Sequence, residues 1–293
     1  MNTEGYSIKD LETLSGIKAH TIRIWEKRYS LLHPERTDTN IRYYTDDDLR
    51  HILNVSFLVK GGHKISKVAK WGQDQIKETV LEVSKSKSSE NAYIDRLMLS
   101  MVNFDNEEFF KILNEIQLRY SLEEMVYTIL FSLFKRIGTY WQVGSIFPAQ
   151  EHFVSHIIRQ KIIAEIDKIG LNNKRGQSIL FFLPENEMHE ISLLFYSYLA
   201  HKSGFNVIYL GQFVPFNDLQ KLQSHLTIDF VFTAFINSWA KDALENYLVD
   251  LKGLFQKQRI FITGWQVDNL NPELPRNVKI VKDYKEFRKF VGA

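Results

Sequence analysis

Two short histidine-bearing segments carry side chains able to do metal chemistry. The first is Pro184-Glu185-Asn186-Glu187-Met188-His189-Glu190-Ile191-Ser192. An imidazole is a good neutral nitrogen ligand for a transition metal. Glu187, two residues earlier, could accept the other ring N–H and orient the ring. His189 falls where an apolar run gives way to a helical stretch, and a histidine there also serves as a cap or a partly exposed surface residue. Glu185, Glu187 and Glu190 form an acidic cluster, of which two are expected to be merely solvated. The second segment is Glu151-His152 with His156 four residues on. That spacing resembles part of a zinc site, but no HExxH sequence and no third ligand accompany it. Neither a P-loop nor a G-x-G-x-x-G follows the apolar run, Gly204 and Gly211 read as isolated turns, and no Ser-His-Asp spacing stands out. The chain has no cysteine, which excludes disulfides, thiolate metal sites and a cysteine nucleophile.

These residues must be positioned by a chain of 293 residues, above the usual single-domain size of roughly 100–200, so two or three domains are expected. With 44% hydrophobic and 25% charged residues, 14 Gly and 6 Pro, a collagen-like, disordered or low-complexity chain is excluded. The net charge of +2 says little. Within the first 72 residues, however, Lys and Arg outnumber Asp and Glu, a mildly basic head compatible with nucleic acid binding. No signal-peptide core follows Met1, and no uninterrupted apolar stretch reaches the ~18 residues of a membrane span. A cytoplasmic protein without membrane attachment is expected.

The pattern divides the chain into four parts. Residues 1–75 read as short helices around a hairpin. Ser7-Ile8-Lys9-Asp10 is a capping signal, Leu11 and Leu14 give an apolar face, Gly16 breaks the helix, and a second helix runs over about 18–28. Two helices joined by a Gly-containing turn make a helix-turn-helix. Residues 30–44, with Pro34 and Arg42-Tyr43-Tyr44, read as a β-hairpin wing. Thr45-Asp46-Asp47-Asp48 starts a further helix, with Leu49, Ile52, Leu53 and Phe57 inward and Gly61-Gly62 at its end. Polar residues 84–91 mark a linker, taken as 76–92. Residues 93–172 hold four helices, at about 93–102, 105–118, 122–140 and 148–169, enough for a bundle. In residues 173–293 five short apolar runs, 178–182, 207–210, 230–233, 260–263 and 278–281, alternate with helical stretches, the last over about 283–291. The expected fold is multidomain: an all-α winged helix-turn-helix head, a four-helix bundle, and an α/β flavodoxin-like (Rossmann-like) five-stranded parallel sheet. Ligands of such sheets sit at the carboxyl ends of the strands, here after Phe182, Leu210, Thr233 and Thr263.

Tyr6-Ser7-Ile8, Leu14-Ser15-Gly16-Ile17, Thr21-Ile22-Arg23-Ile24-Trp25-Glu26-Lys27-Arg28-Tyr29 and Arg42-Tyr43-Tyr44 resemble, in order and spacing, the DNA-binding domain of the MerR family of bacterial transcription regulators. The resemblance implies that Thr21, Arg23, Arg28 and Tyr29 lie on or beside a helix in the major groove, and that Arg42 and Tyr43 on the wing grip the flanking backbone. It also implies a distorted double-stranded DNA operator read by paired copies. Trp25 is expected in the small core rather than on DNA.

Further on, Trp141 is followed after nine residues by Glu151-His152. With Glu187-Met188-His189-Glu190-Ile191-Ser192, this resembles the cobalamin-binding, light-dependent repressors within that family. The resemblance implies adenosylcobalamin as cofactor, with His189 as lower axial ligand of the cobalt and Glu187 behind it. Trp141 would cover the upper face, Glu151 would help hold the adenosyl group, and His152 would approach the cobalt once that group is lost. Ser192, Thr233 and Gly264 fall at the family's small-residue positions, which admit the nucleotide tail. The departures are Ser192 in place of glycine, bulky Phe235 after Thr233, and Trp265 in place of a second glycine. An indole pointing inward would fill the cavity, leaving a different tetrapyrrole or no cofactor open. The implied function is a DNA-binding regulator, a repressor, that senses cobalamin and light by changing its homo-oligomeric state (dimer or tetramer). Two alternatives remain at this point. One is a regulator whose sheet domain is an oligomerisation or other-ligand module. The other is a cobalamin-dependent enzyme component, which the DNA-binding head argues against.

Overall fold

The first helices start and stop where their caps dictate. The Ser7 hydroxyl accepts from the Asp10 N–H, the Asp10 carboxylate accepts from the Ser7 N–H, and Gly16 takes φ +69 to end helix α1 (Ile8–Ser15). Helix α2 (Ala19–Tyr29) follows and buries Ile22 and Trp25. Strands β1 (Glu35–Arg36) and β2 (Arg42–Tyr43) pair antiparallel as the wing, and Tyr6 bridges Tyr44. Thr45 and Asp48 form a second capping box at α3 (Asp46–Lys60), and the short α4 (Ile65–Val68) comes next. The computed structural model describes residues 5–37, 40–86, 90–142, 146–170 and 174–291. They form two compact units, Met1–Val154 and Ser155–Ala293.

The expected linker over 76–92 is corrected by the structure: helix α5 occupies Gln73–Ser86, and α6 begins at Glu90. Ile76 and Val80, one turn apart, are buried and give this helix its inner face. The Ser- and Lys-rich composition further on hides it in the sequence. The bundle continues with α6 (Glu90–Val102) and α7 (Asn106–Gln117). The helix expected over 122–140 is interrupted: a short α8 (Leu122–Glu124), capped by Ser121, leads through a π-turn (Met125–Leu130) into α9 (Phe131–Gln142). Helix α10 (Pro148–Ile169) follows. Arg96, almost fully buried, is held between Glu108 (2.9 Å) and Glu115 (2.5 Å). Within the head, Ser56 Oγ and Lys60 Nζ donate to the Ser15 carbonyl at 2.6 and 2.9 Å, and from the bundle Tyr140 OH reaches the Leu14 carbonyl at 3.4 Å. Arg136 donates to Tyr140 OH and to Asp95.

The second unit is a parallel sheet of β3 (Ser178–Pro184), β4 (Asn206–Val214), β5 (Phe230–Ala234), β6 (Arg259–Thr263) and β7 (Val278–Ile280), in the order β4-β3-β5-β6-β7. Its helices are α11 (Ile191–Lys202), α12 (Phe216–Gln223), α13 (Lys241–Leu254), α14 (Trp265–Leu270) and α15 (Tyr284–Phe290). The strands are continuous apolar runs because helices cover both faces. Leu180, Val231 and Ile260 pack in one core with Leu219, Leu244 and Leu248. A second core is aromatic, with Tyr196 and Phe287 rings 4.6 and 5.6 Å from that of Phe232. Strand β4 runs past the expected end at Leu210 because Gly211, at φ +77, absorbs a register shift against β3. The strand order reverses between β3 and β5, so a ligand crevice is expected at the carboxyl ends of those two strands. Among the described residues no helix is long and apolar enough to cross a membrane.

Candidate functional site

On the head, α2 turns Ile22 and Trp25 inward and leaves His20, Arg23, Ile24, Lys27 and Arg28 exposed. Thr21 and Tyr29 are half-buried, and the Arg28 guanidinium lies 5.5 Å from the centre of the Tyr29 ring. Glu26 ties the wing to this helix: it accepts from Tyr44 OH at 3.0 Å and faces Arg42 Nε at 3.7 Å. Burial, reinforced by the Glu26 hydrogen bond, pushes the Tyr44 hydroxyl well above the usual tyrosine range. Tyr43 OH donates to Glu35 across the wing.

The loops after β3 and β5 meet at one carboxylate. Glu187 is fully buried. Its Oε2 accepts the backbone N–H groups of Ile236 and Asn237, both at 2.7 Å, and its Oε1 accepts the His189 N–H at 3.0 Å. His189 Nδ1 lies 2.7 Å from the same Oε1, while more than half of the imidazole is exposed. Burial works to raise the pKa of Glu187, but the hydrogen bonds from the His189 ring and from three backbone N–H groups outweigh it. The carboxyl is held below the usual range and stays ionised. With Nδ1–H donated to the ionised Glu187, Nε2 carries the lone pair, the tautomer a metal ligand needs.

The expectation that two of the three acids are solvated is corrected. Only Glu185 is exposed, whereas Glu190 is buried and accepts from Arg159 Nε at 2.6 Å and Tyr209 OH at 2.8 Å. Burial, with Glu190 beside it, pushes the Tyr209 hydroxyl far up. The Ser192 and Thr233 side-chain oxygens are buried with no hydrogen-bond partner among the described residues. Gly264 caps α14 at φ +120, and a Cβ there would lie 2.2 Å from the Phe235 carbonyl oxygen. Trp265, expected to threaten the cavity, is 59% exposed, so its indole does not fill the sheet interior. Phe235 is the bulky residue inside, packed edge-on against Trp239 and Tyr247.

On α10, His152 is exposed and its Nδ1 lies 3.0 Å from Glu151 Oε2; His156 is exposed as well. Trp141 falls in the last turn of α9, and its side chain lies outside the described residues. The donor set fits a corrin. One outward imidazole on an anchored carboxylate suits a metal that arrives with its own ring of nitrogens, and the two orphaned hydroxyls suit a polar tail. The sequence pattern did not reveal the parts of Ile236 and Asn237, which act through backbone N–H groups, or the Arg159–Glu190 pair, whose members lie far apart in the chain.

Residues 6–75 match the MerR HTH family regulatory proteins, and residues 93–164 match the B12 binding domain. The chain is 28% identical over 253 residues to the HTH-type transcriptional repressor CarH of Myxococcus xanthus, covering 84% of both chains. It is 24% identical over 245 residues to the repressor CarA of the same organism, covering 83% of this chain and 81% of that one. A monomethylamine corrinoid protein from Methanosarcina barkeri superposes with a TM-score of 0.55 at 13% identity, over 69% of this chain and 98% of that one, a likeness of fold. The chain thus carries a MerR-type HTH head and a B12-binding domain, and over most of its length it is similar to transcriptional repressors.

Proposed function

We propose that this is a cytoplasmic repressor whose DNA affinity is set by adenosylcobalamin and light through a change in homo-oligomeric state. The observation that carries the reading is the fully buried Glu187 holding the exposed imidazole of His189 at the carboxyl end of β3. When bound, the cofactor would supply light-sensitive cobalt–carbon chemistry. Glu187 would fix the tautomer and angle of His189, whose imidazole would hold the cobalt. Ser192 and Thr233 offer hydroxyls to the nucleotide tail beside Gly264. In this reading Trp141, Glu151 and His152 would be the residues of the helical part that hold the group. Because the heads act in pairs, a change in how copies assemble alters affinity without altering α2.

Protein mixed with adenosylcobalamin, desalted, and followed by visible absorption, light scattering and DNA titration before and after green light tests this. Retained colour with a light-driven change in both mass and affinity is the expected result. Colour without any such change would remove the sensing mechanism. The buried Phe235 favours a second reading, in which the sheet domain is an interaction module without cobalamin; loss of all colour on desalting would select it.

In the head, we assign Thr21, Arg23, Arg28 and Tyr29 to the major-groove side, and Arg42 and Tyr43 to the flanking phosphates. Arg42→Ala is expected to weaken binding to all duplexes alike. It should also reduce the slope of log K against log salt by about one, measured by titration at several salt concentrations.

A further inference from the structure

Among the described residues of the head, only two large apolar side chains are exposed, Ile24 (53%) and Ile41 (64%). Ile24 sits in the middle of the outward stripe of α2, with His20 four residues before, Arg23 adjacent, and Lys27 and Arg28 three and four after, all exposed. A solvated stripe of a helix is normally polar throughout, and a β-branched residue loses χ1 freedom in a helix. Neither packing nor helix propensity therefore accounts for isoleucine at this position. A helix in the major groove meets one apolar feature on the base edges, the 5-methyl group of thymine.

We propose that Ile24 packs against a thymine methyl, flanked by cations that hold the phosphates, so that α2 selects thymine over cytosine at one position in each half-site. The proposal rests on the head binding DNA. Cytosine at that position would lack the methyl and would set its N4 amino group against an aliphatic surface with no acceptor.

The test uses the full chain and duplexes recovered by selection from a randomised pool, with each thymine replaced in turn by deoxyuridine, which lacks only the methyl. For the wild type, one position per half-site should lose about fourfold in affinity, the worth of one buried methyl group. In Ile24→Ala that loss should vanish, and a fresh selection should no longer fix thymine there. The salt slope should be unchanged, since an apolar contact releases no counterions. Ile41→Ala, which removes the other exposed isoleucine of the head, should keep the deoxyuridine effect at that position. Because Ile24 is exposed, the variant should melt at the wild-type temperature, so altered folding would not mimic the result. The proposal is overturned if deoxyuridine costs Ile24→Ala as much as the wild type, or if no thymine in the selected site is sensitive. Failure of the wild type to enrich any sequence would instead overturn the DNA-binding reading, and this proposal with it.

Discussion

His189→Ala should lower the affinity for cobalamin about 100-fold while leaving the stability of the chain almost unchanged. The magnitude follows from the two-part construction of the site. Removing a group that merely orients a metal-bound histidine typically costs 10–100-fold, and the ligand itself should cost at least the upper figure. The small effect on stability follows from exposure: more than half of the imidazole faces solvent, and exposed substitutions usually fall within about 0.5 kcal/mol. Glu187→Ala should behave differently, because it strips the acceptor from the buried N–H groups of Ile236 and Asn237 as well as from the ring. It should weaken both the ligand and the fold, the latter by about 2 kcal/mol or more. Spectral titration with cobalamin, set beside urea melts of the same samples, separates the two behaviours. An unchanged affinity in His189→Ala would remove the axial assignment.

The largest loss of stability should come from Gly264→Ala. A Cβ at this position would lie 2.2 Å from the Phe235 carbonyl oxygen and 2.8 and 2.9 Å from its carbonyl carbon and amide nitrogen. These are backbone atoms of the segment after β5, and the Phe235 N–H is itself bonded to the Thr263 carbonyl at 2.9 Å. Neither chain can yield without breaking a contact between β5 and β6. The φ of +120 adds strain that any side chain would feel. Together these should destabilise the second unit by about 3 kcal/mol or more. Gly176→Ala is the matched comparison. Its φ is also positive, at +67, but nothing lies within 4 Å of the added methyl, so about 1 kcal/mol is expected. Equal losses for the two variants in chemical denaturation would show that the close approach at Gly264 is easily relaxed.

Much of the architecture was legible because it follows from local rules. Ser7 and Thr45 announce capping boxes, Gly16 a left-handed stop, and the five apolar runs a sheet buried on both faces. What could not be read depends on partners distant in the chain or on backbone geometry. Helix α5 escaped notice because its inner face rests on Ile76 and Val80 within a polar stretch. The exposure of Trp265, which follows a glycine at φ +120, is not encoded in composition. Glu187 reads in the sequence as a partner of His189, yet two of the hydrogen bonds that help hold it ionised in the interior come from N–H groups some fifty residues later, and those carry no side-chain signature.

The π-turn of Met125–Leu130 sets the rotational phase of everything after it on the same rod. It accommodates a residue more than α-helical winding would, and rewinding it as regular α-helix with that residue retained would swing the positions of Arg136, Tyr140 and Trp141 by about 100° around the axis. Arg136 would part from Asp95, and Tyr140 from the Leu14 carbonyl on the first helix of the head. A single codon inserted just after this turn would thus re-gear the head without changing the identity of any contacting side chain, whereas one deleted within it would be absorbed.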